Sequence, residues 1–280
     1  MRQYDKKDIL CQHINKSQEY LKSYLCNMNI LLIPLSKLFG IITTLRNLLF
    51  DLGIFKSHTF KIPIICIGNL SAGGTGKTPH TDYITNLLKS EYKIAIISRG
   101  YKRKNYDFKY VRINDSVSDV GDESIMLKRK NPNCVVAVCG DRVKAISKII
   151  KEHEDIDLII LDDGFQHRWV KSGMNILLTT ANNPFYIDNH LPHGTLRESI
   201  KESRRADKII ITNNLDFSNE KEANKIRKNI AKYIPCFIAY GRRFPPVASY
   251  SINNPIEESK TTRIIKVLGN RKILSLTPSI

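Results

Sequence analysis

Residues Ser71 to His80, SAGGTGKTPH, place flexible glycines just before a lysine and a hydroxyl. In a glycine-rich turn the backbone N–H groups can curl around phosphate oxygens. A lysine can then reach the outer phosphates, and a following threonine can bind Mg²⁺. The usual pattern is G-x-x-x-x-G-K-[ST], and Ser71 takes the place of its first glycine. We predict a nucleotide-binding loop made of Ser71, Ala72, Gly73, Gly74, Thr75, Gly76, Lys77 and Thr78.

A second group is the run LIILDDGFQHR, residues 158–168, in which apolar residues end at Asp162 and Asp163. Two adjacent carboxylates at the end of a strand are costly to leave unpaired, so a metal ion or a basic partner is expected. A solvated acidic turn is the alternative. With a phosphate loop in the same chain we favour a Mg²⁺ site formed by Thr78, Asp162 and Asp163.

Three further stretches are ambiguous when they are taken singly. The run VGDESIML, residues 120–127, opens a helix with two acidic residues, which the helix dipole favours without any catalytic role. SRGYKRK (98–104) is compatible with a basic solvated loop, and LPHGTLRES (191–199) is equally unspecific.

The elements that must position these residues alternate along the chain. Strand-like apolar runs lie at 62–68, 93–98, 134–139, 157–163, 174–180, 207–213 and 236–241. Helical patterns lie between several of them, at 77–90, 122–130, 141–154 and 218–234. This alternation predicts an α/β fold of the P-loop NTPase type, a mainly parallel sheet with helices on both faces. Ligands of such sheets bind beyond the carboxyl ends of the strands, where the motifs above begin.

An apolar stretch precedes the sheet, and its apolar residues follow a 4-3-4-3-4-3 spacing. This stripe of one helix consists of Leu31, Leu35, Leu38, Ile42, Leu45, Leu49 and Leu52. Pro34, Lys37 and Arg46 interrupt the stretch and make it a poor transmembrane helix. One interpretation is an amphipathic helix in a membrane interface, with Lys37 and Arg46 extending toward lipid phosphates. The other, which the pattern alone favours, is a helix packed on its own domain or in a coiled coil.

Composition narrows the choice of partner only partly. The 280 residues carry 44 Lys and Arg against 27 Asp and Glu, a formal net charge of +17. Such an excess suits an anionic partner, although a lysine-rich genome gives the same bias. The six cysteines form no C-x-x-C pair, which fits a reducing compartment.

Six motifs occur in a fixed order: GNLSAGGTGKTPH, SRGYKRK, VGDES, DDGFQHR, LPHGTLRE and RRAD. Together with their gaps they closely resemble the tetraacyldisaccharide 4′-kinases, the lipid A 4′-kinases of Gram-negative bacteria. The resemblance runs from about residue 28 to about residue 269 and includes the apolar helix. A serine at the start of the phosphate loop is usual in that family.

The resemblance implies an enzyme that transfers the γ-phosphoryl group of ATP to the 4′-hydroxyl of an acylated glucosamine disaccharide 1-phosphate. It implies ATP and Mg²⁺ as cofactors and a peripheral position on the cytoplasmic face of the inner membrane, with no nucleic-acid partner. Residues matching catalytic positions of the family are Lys77, Asp122 and Arg142; those matching the surrounding site are Gln166, His167, Arg197 and Glu198. Asp122 matches the carboxylate that helps to activate the hydroxyl.

The sequence also departs from the family pattern. Ser124 stands where proline is usual and His193 where a small residue is usual. Family members carry a histidine in a second domain that pairs with the GDE aspartate, and no histidine follows His193 here. We therefore expect an extension (1–27), an amphipathic helix region (28–59), a P-loop kinase domain (60–245) and a linker with a second-domain remnant (246–280), with Met28 as an alternative start.

Other functional classes fit less well. A P-loop GTPase needs aspartate at position 161 for its D-x-x-G switch, and Leu161 is there; the run TNNLD, 212–216, lacks the lysine of N-K-x-D. No nucleic-acid-binding motif is present. An impaired remnant of the kinase that only binds nucleotide stays open as an alternative.

Overall fold

The computed structural model describes residues 32–212, 220–233 and 237–240. Within these residues eight strands form one sheet: β1 (Ile64–Asn69), β2 (Ile94–Ser98), β3 (Lys109–Tyr110), β4 (Val135–Val138), β5 (Leu158–Asp162), β6 (Met174–Thr180), β7 (Lys208–Thr212) and β8 (Phe237–Tyr240). Their order is β3-β4-β2-β5-β1-β6-β7-β8. Every pairing is parallel except that of β3 with β4. The prediction of a mainly parallel α/β sheet is confirmed.

Six α-helices are described: α1 (Leu32–Asp51), α2 (Lys77–Leu88), α3 (Val117–Val120), α4 (Asp122–Lys130), α5 (Arg142–Glu152) and α6 (Glu220–Ala231). Two 3₁₀ turns cover Phe185–Ile187 and Ile200–Arg205. The four predicted helices correspond to α2, α4, α5 and α6. The expected extension 1–27 and the expected linker and second-domain remnant 246–280 lie outside the described residues.

The inner strands are apolar along their whole length because helices cover both faces of the sheet. On one face Ile84 of α2 and Leu127 of α4 pack into a cluster with strand residues. On the other face Ile146 and Ile149 of α5 do the same. Asp141 starts α5, and its carboxylate accepts from the backbone N–H groups of Val143 and Lys144.

Helix α1 lies on the domain through its polar side. Its buried positions are Ser36, Gly40, Asn47 and Phe50, and the Ser36 hydroxyl donates to the His190 carbonyl at 2.7 Å. Four residues of its apolar stripe point outward and are about half exposed: Leu35, Leu38, Ile42 and Leu45 are 54%, 52%, 58% and 56% exposed, whereas Leu49 is only partly exposed. The helix therefore packs on its own domain and still presents an apolar face.

Candidate active site

The phosphate loop follows the inner strand β1 and leads into α2. Gly73 has φ 117° and Gly76 has φ 85°, backbone conformations that favour glycine. A side-chain carbon added at Gly73 or Gly74 would meet no atom within 4 Å, so a ligand can approach this backbone. The loop delivers Lys77 and Thr78 as the first two residues of α2, whose N-terminus favours anions.

Side chains outside the motif hold the loop in place. Asn69, the buried last residue of β1, donates from Nδ2 to the Thr75 hydroxyl at 2.8 Å. The Thr212 hydroxyl at the end of β7 donates to the Thr75 carbonyl at 3.0 Å. Ala72 donates to the Thr195 carbonyl at 2.6 Å. The motif itself does not reveal these supports, although the position of Asn69 two residues before Ser71 is a signal.

Asp162 ends β5 beside the loop and is 1% exposed. It accepts a hydrogen bond from the Thr81 hydroxyl at 2.8 Å and lies 3.4 Å from the Thr78 hydroxyl. Burial raises the pKa of its carboxyl to about 7, with Glu123 and Asp163 adding to the rise and Thr81 and Lys77 opposing it. A buried acid next to a hydroxyl suits a Mg²⁺ ion, which would favour the ionised form.

Asp163 leaves the strand with φ 52° and has different partners. Its carboxylate lies 3.2 Å from Nη1 of Arg197 and 3.8 Å from Nζ of Lys77. Lys77 Nζ also lies 3.5 Å from the Gly73 carbonyl of its own loop. The predicted metal-site residues Thr78, Asp162 and Asp163 are thus brought together around Lys77.

The start of α4 lies near this group and carries two exposed acids, Asp122 and Glu123, with different neighbours. The carboxylate of Asp122 accepts from the backbone N–H of Glu123 at 2.9 Å. Burial raises the pKa of Glu123, Lys77 and Thr78 lower it, and Asp122 and Asp163 raise it further. Glu123 therefore faces Thr78 and Lys77, a placement that was not predicted from the sequence although GDE signals it.

Arg142, a predicted catalytic residue, is 3% exposed at the start of α5. It donates from Nη1 to the carbonyls of Cys139 and Gly140 at 3.1 and 3.2 Å. Burial lowers its pKa, and the first opposing charge is that of Asp163. Arg142 thus lies close enough to Asp163 and Asp162 for their charges to raise its pKa against the effect of burial. Its Nη1 is already hydrogen-bonded to the backbone.

His167 is a half-buried neighbour of this region. Its pKa is lowered to about 4, first by burial and then by the charge of Arg142. Its Nε2 is buried and has no hydrogen-bond partner among the described residues. The ring is therefore neutral in the folded protein at physiological pH.

Replacing His167 with Gln should reduce the loss of stability in acid. Between pH of about 6.5 and about 4 the unfolded chain binds a proton that the folded chain does not. The free energy of unfolding therefore falls as the pH drops through this window. The thermal midpoint of His167→Gln should fall less than that of the wild type between pH 7 and pH 5. The exposed His58→Gln is the matched control, and equal slopes for His167→Gln and wild type would contradict the expectation.

The remaining predicted residues divide into two groups. Gln166 and Arg197 join the site: Arg197 donates to Asp163, to the Gln166 Oε1 at 3.3 Å and to the Asn69 Oδ1 at 2.6 Å. Glu198 is fully buried and pairs with Arg46 of α1 and with Arg205. These ion pairs point away from the loop and the acidic pair, and the assignment of Glu198 to the surrounding site stays a prediction.

Arg46 departs from one of the two interpretations of α1, the one in which its side chain extends toward lipid phosphates. Instead it turns toward the domain, where Nη2 donates to the Gln166 carbonyl at 2.6 Å and Nη1 lies 3.3 Å from Glu198.

The basic loop 98–104 packs against the start of α4. Arg103 is 5% exposed and donates to the carbonyls of Arg99 and Asp107, so this residue supports the loop. Tyr101 is 65% exposed, and Lys102 is exposed beside it. A side-chain carbon at Gly121 would lie 3.0 Å from the Tyr101 carbonyl, which brings this loop close to Asp122.

Loop 71–78 follows the inner parallel strand β1, and the buried Asp162 ends the adjacent strand β5. This arrangement defines a P-loop NTPase. Residues 28–250 match the family described as tetraacyldisaccharide-1-P 4′-kinase. The chain belongs to this family.

Relatives and a solved structure agree with this assignment. The tetraacyldisaccharide 4′-kinase of Flavobacterium psychrophilum is 45% identical over 72% of this chain and 59% of its own length. That of Bacteroides thetaiotaomicron is 38% identical over 88% of this chain and 66% of its own. The chain thus spans less than two thirds of these relatives. LpxK from Aquifex aeolicus, crystallised in complex with ATP, is 29% identical with a TM-score of 0.62, over 81% of this chain and 85% of that one.

Proposed function

We propose that the protein transfers the γ-phosphoryl group of ATP to the 4′-hydroxyl of an acylated glucosamine disaccharide 1-phosphate. The observation that carries the proposal is the contact of Lys77 and Thr78 with Asp163 and Asp162, in a chain of the family named for this reaction. The relatives are bacterial, and we place the reaction at the cytoplasmic face of the inner membrane.

On the nucleotide side, the loop backbone and Lys77 would bind the phosphates of ATP. Thr78, Asp162 and Asp163 supply the oxygen ligands that Mg²⁺ prefers, and Glu123 lies beside them. When bound, Mg²⁺ would neutralise charge on the phosphate oxygens. Arg197 fixes Asp163 by the ion pair at 3.2 Å, so the carboxylate is held before any ligand arrives.

On the acceptor side, the 4′-hydroxyl oxygen would form the new bond to the γ-phosphorus while the bond from that phosphorus to the bridging oxygen of ADP breaks. The hydroxyl proton needs an acceptor, and we assign it to the carboxylate of Asp122. Asp122 is exposed at the start of α4 and is free to meet a substrate. The transfer needs positioning and cations more than covalent help.

We assign the exposed apolar face of α1 to contact with the membrane in which the acyl chains of the acceptor lie. A row of large apolar side chains about half exposed is costly in water and suits the boundary of a bilayer. By length and composition α1 is the one helix among the described residues that could cross a membrane. Because polar contacts hold it to the domain from Ser36 to Asp51, we propose that it lies in the membrane surface. The basic excess would then face anionic lipid rather than nucleic acid.

The test is a transfer assay with purified chain, Mg²⁺, ATP labelled in the γ-phosphate and tetraacyldisaccharide 1-phosphate in detergent micelles. Labelled lipid is the expected product, and replacing ATP by GTP tests the GTPase alternative. Binding of ATP without labelled lipid would contradict the proposal and identify a nucleotide-binding remnant. No binding of ATP would contradict the nucleotide site as well.

Replacing both Leu38 and Leu45 with Asp should weaken binding to anionic phospholipid vesicles by about tenfold or more, since two apolar side chains would be lost from the membrane contact. Both residues are exposed, so the thermal midpoint should change little. Vesicle sedimentation measures the binding. The double variant Ile113→Asp with Val117→Asp is the matched control, because it changes two exposed apolar residues elsewhere. Undiminished binding of the α1 variant would refute the assigned surface.

A further inference from the structure

Arg46 lies on the helix that presents the apolar stripe, yet its guanidinium reaches into the domain. One nitrogen donates to the backbone carbonyl of Gln166 at 2.6 Å, and another lies 3.3 Å from the carboxylate of Glu198. The Arg46 side chain is 34% exposed, whereas that of Glu198 is 1% exposed. A helix assigned to the membrane thus has a charged group that is fixed on Gln166 and Glu198 of the domain.

Gln166 connects Arg46 to the end of β1. Its Nε2 donates to the carbonyl of Asn69 at 2.7 Å, and the side chain of Asn69 in turn donates to the Thr75 hydroxyl of the loop at 2.8 Å. Three hydrogen bonds therefore join Arg46 to Thr75. Asn69 is fully buried, and the Gln166 side chain is held by hydrogen bonds to Asn69 and Arg197.

Arg197 adds a second connection to the same pair. It donates to the side-chain oxygen of Gln166 at 3.3 Å and to that of Asn69 at 2.6 Å, and it also binds the carboxylate of Asp163. A shift of Gln166 would therefore disturb both the phosphate loop and the acidic pair. Closely hydrogen-bonded side chains of this kind usually show coupled effects when two of them are changed.

We propose that Arg46 is a positioning residue of the nucleotide site, so that helix α1 serves ATP binding as well as membrane attachment. This inference rests on the proposed function. Arginine suits the role because its planar fork reaches two acceptors at once, and lysine offers only a point charge. Glu198 keeps its pairing with Arg205 when Arg46 is removed, so no buried carboxylate is left without a partner.

The first test measures the affinity for MgATP of the full chain with Arg46→Met, in detergent and without lipid acceptor. We expect the dissociation constant to rise about fivefold or more, and KM for ATP to rise with it while kcat changes less. Arg46→Lys should give an intermediate value. The matched control is Arg204→Met, which also removes an ion pair to α1, at Asp51, and leaves Asp51 paired with Arg168. It should bind MgATP as the wild type does.

A double-mutant cycle distinguishes a positioning role of Arg46, exerted through Gln166, from a general loss of rigidity in the domain. In the background Gln166→Ala the connection to Asn69 is already lost, so Arg46→Met should then have a clearly smaller effect on the affinity for MgATP. Arg204→Met should add independently to Gln166→Ala. Thermal midpoints of all variants identify any that fail to fold. If Arg46→Met is one of them, Arg46→Lys replaces it in the cycle with Gln166→Ala.

Wild-type affinity in Arg46→Met, or strictly additive effects with Gln166→Ala, would overturn the inference and leave the proposed kinase intact. An equal loss in Arg46→Met and Arg204→Met would also overturn it, because general attachment of α1 would then explain the result. A wild-type chain that does not bind MgATP at all would refute the proposed function, and the inference with it.

Discussion

Replacing Lys77 with Met should lower the rate of phosphoryl transfer by a factor on the order of 10² to 10³ or more. Lys77 is the cation that the loop holds at the start of α2, with Nζ 3.5 Å from the Gly73 carbonyl and 3.8 Å from Asp163. Charge that develops on the transferred group would lose its nearest fixed cation, and losing one preorganised partner typically has an effect of this size. The transfer assay with labelled ATP measures it.

The fold should survive this change, because the ion pair of Lys77 with Asp163 is long and is not the only contact of that carboxylate. We expect the free energy of unfolding to change by less than about 0.5 kcal/mol. Lys89→Met, at the other end of α2, is the matched control and should keep full activity. Near-normal transfer by Lys77→Met would remove the phosphate loop from the mechanism.

Asp122→Asn should lower transfer by a factor on the order of 10² to 10⁴ while the affinity for MgATP changes less than about twofold. An amide keeps the shape and can still accept from the backbone N–H of Glu123, but it cannot take the proton of the acceptor hydroxyl. Single-turnover rates with saturating MgATP separate the chemical step from binding.

The neighbouring change Glu123→Gln supplies the contrast. Glu123 faces Thr78 and Lys77, so this variant should weaken the binding of MgATP, and its transfer rate at saturating MgATP should suffer less than that of Asp122→Asn. If Asp122→Asn weakened nucleotide binding while Glu123→Gln stopped transfer at saturation, the two roles would have to be exchanged.

The sheet could be predicted from the sequence because its inner strands are short runs of apolar residues, such as Leu158–Asp162, bounded by polar turns. The antiparallel edge strand Lys109–Tyr110 could not be. It has two residues with no apolar run, and only its pairing with Val138 and Ala137 makes it a strand. Such elements depend on tertiary contacts.

The position of loop 71–78 between a strand and a helix could be predicted because one motif covers it, and the roles of its residues stay predictions. The sequence could not predict that adjacent residues would contact different neighbours. Asp162 is buried against Thr81, whereas Asp163 turns toward Lys77 and Arg197. Glu198 directly follows Arg197 but pairs with Arg46, which is 152 residues away along the chain. Spacing in one sequence does not report such long-range pairings.

The attachment of α1 to the domain is partly electrostatic: besides the packing of Phe50 against Trp169, ion pairs run from Arg46 to Glu198 and from Asp51 to Arg168 and Arg204. Attraction between charges grows as the surrounding dielectric constant falls, and dissolved salt screens the more exposed pairs. Contact with acyl chains would displace water from around the helix and lower that constant. The helix would then be held more firmly to the domain on lipid than in a salt solution, the opposite of a helix docked by its apolar side.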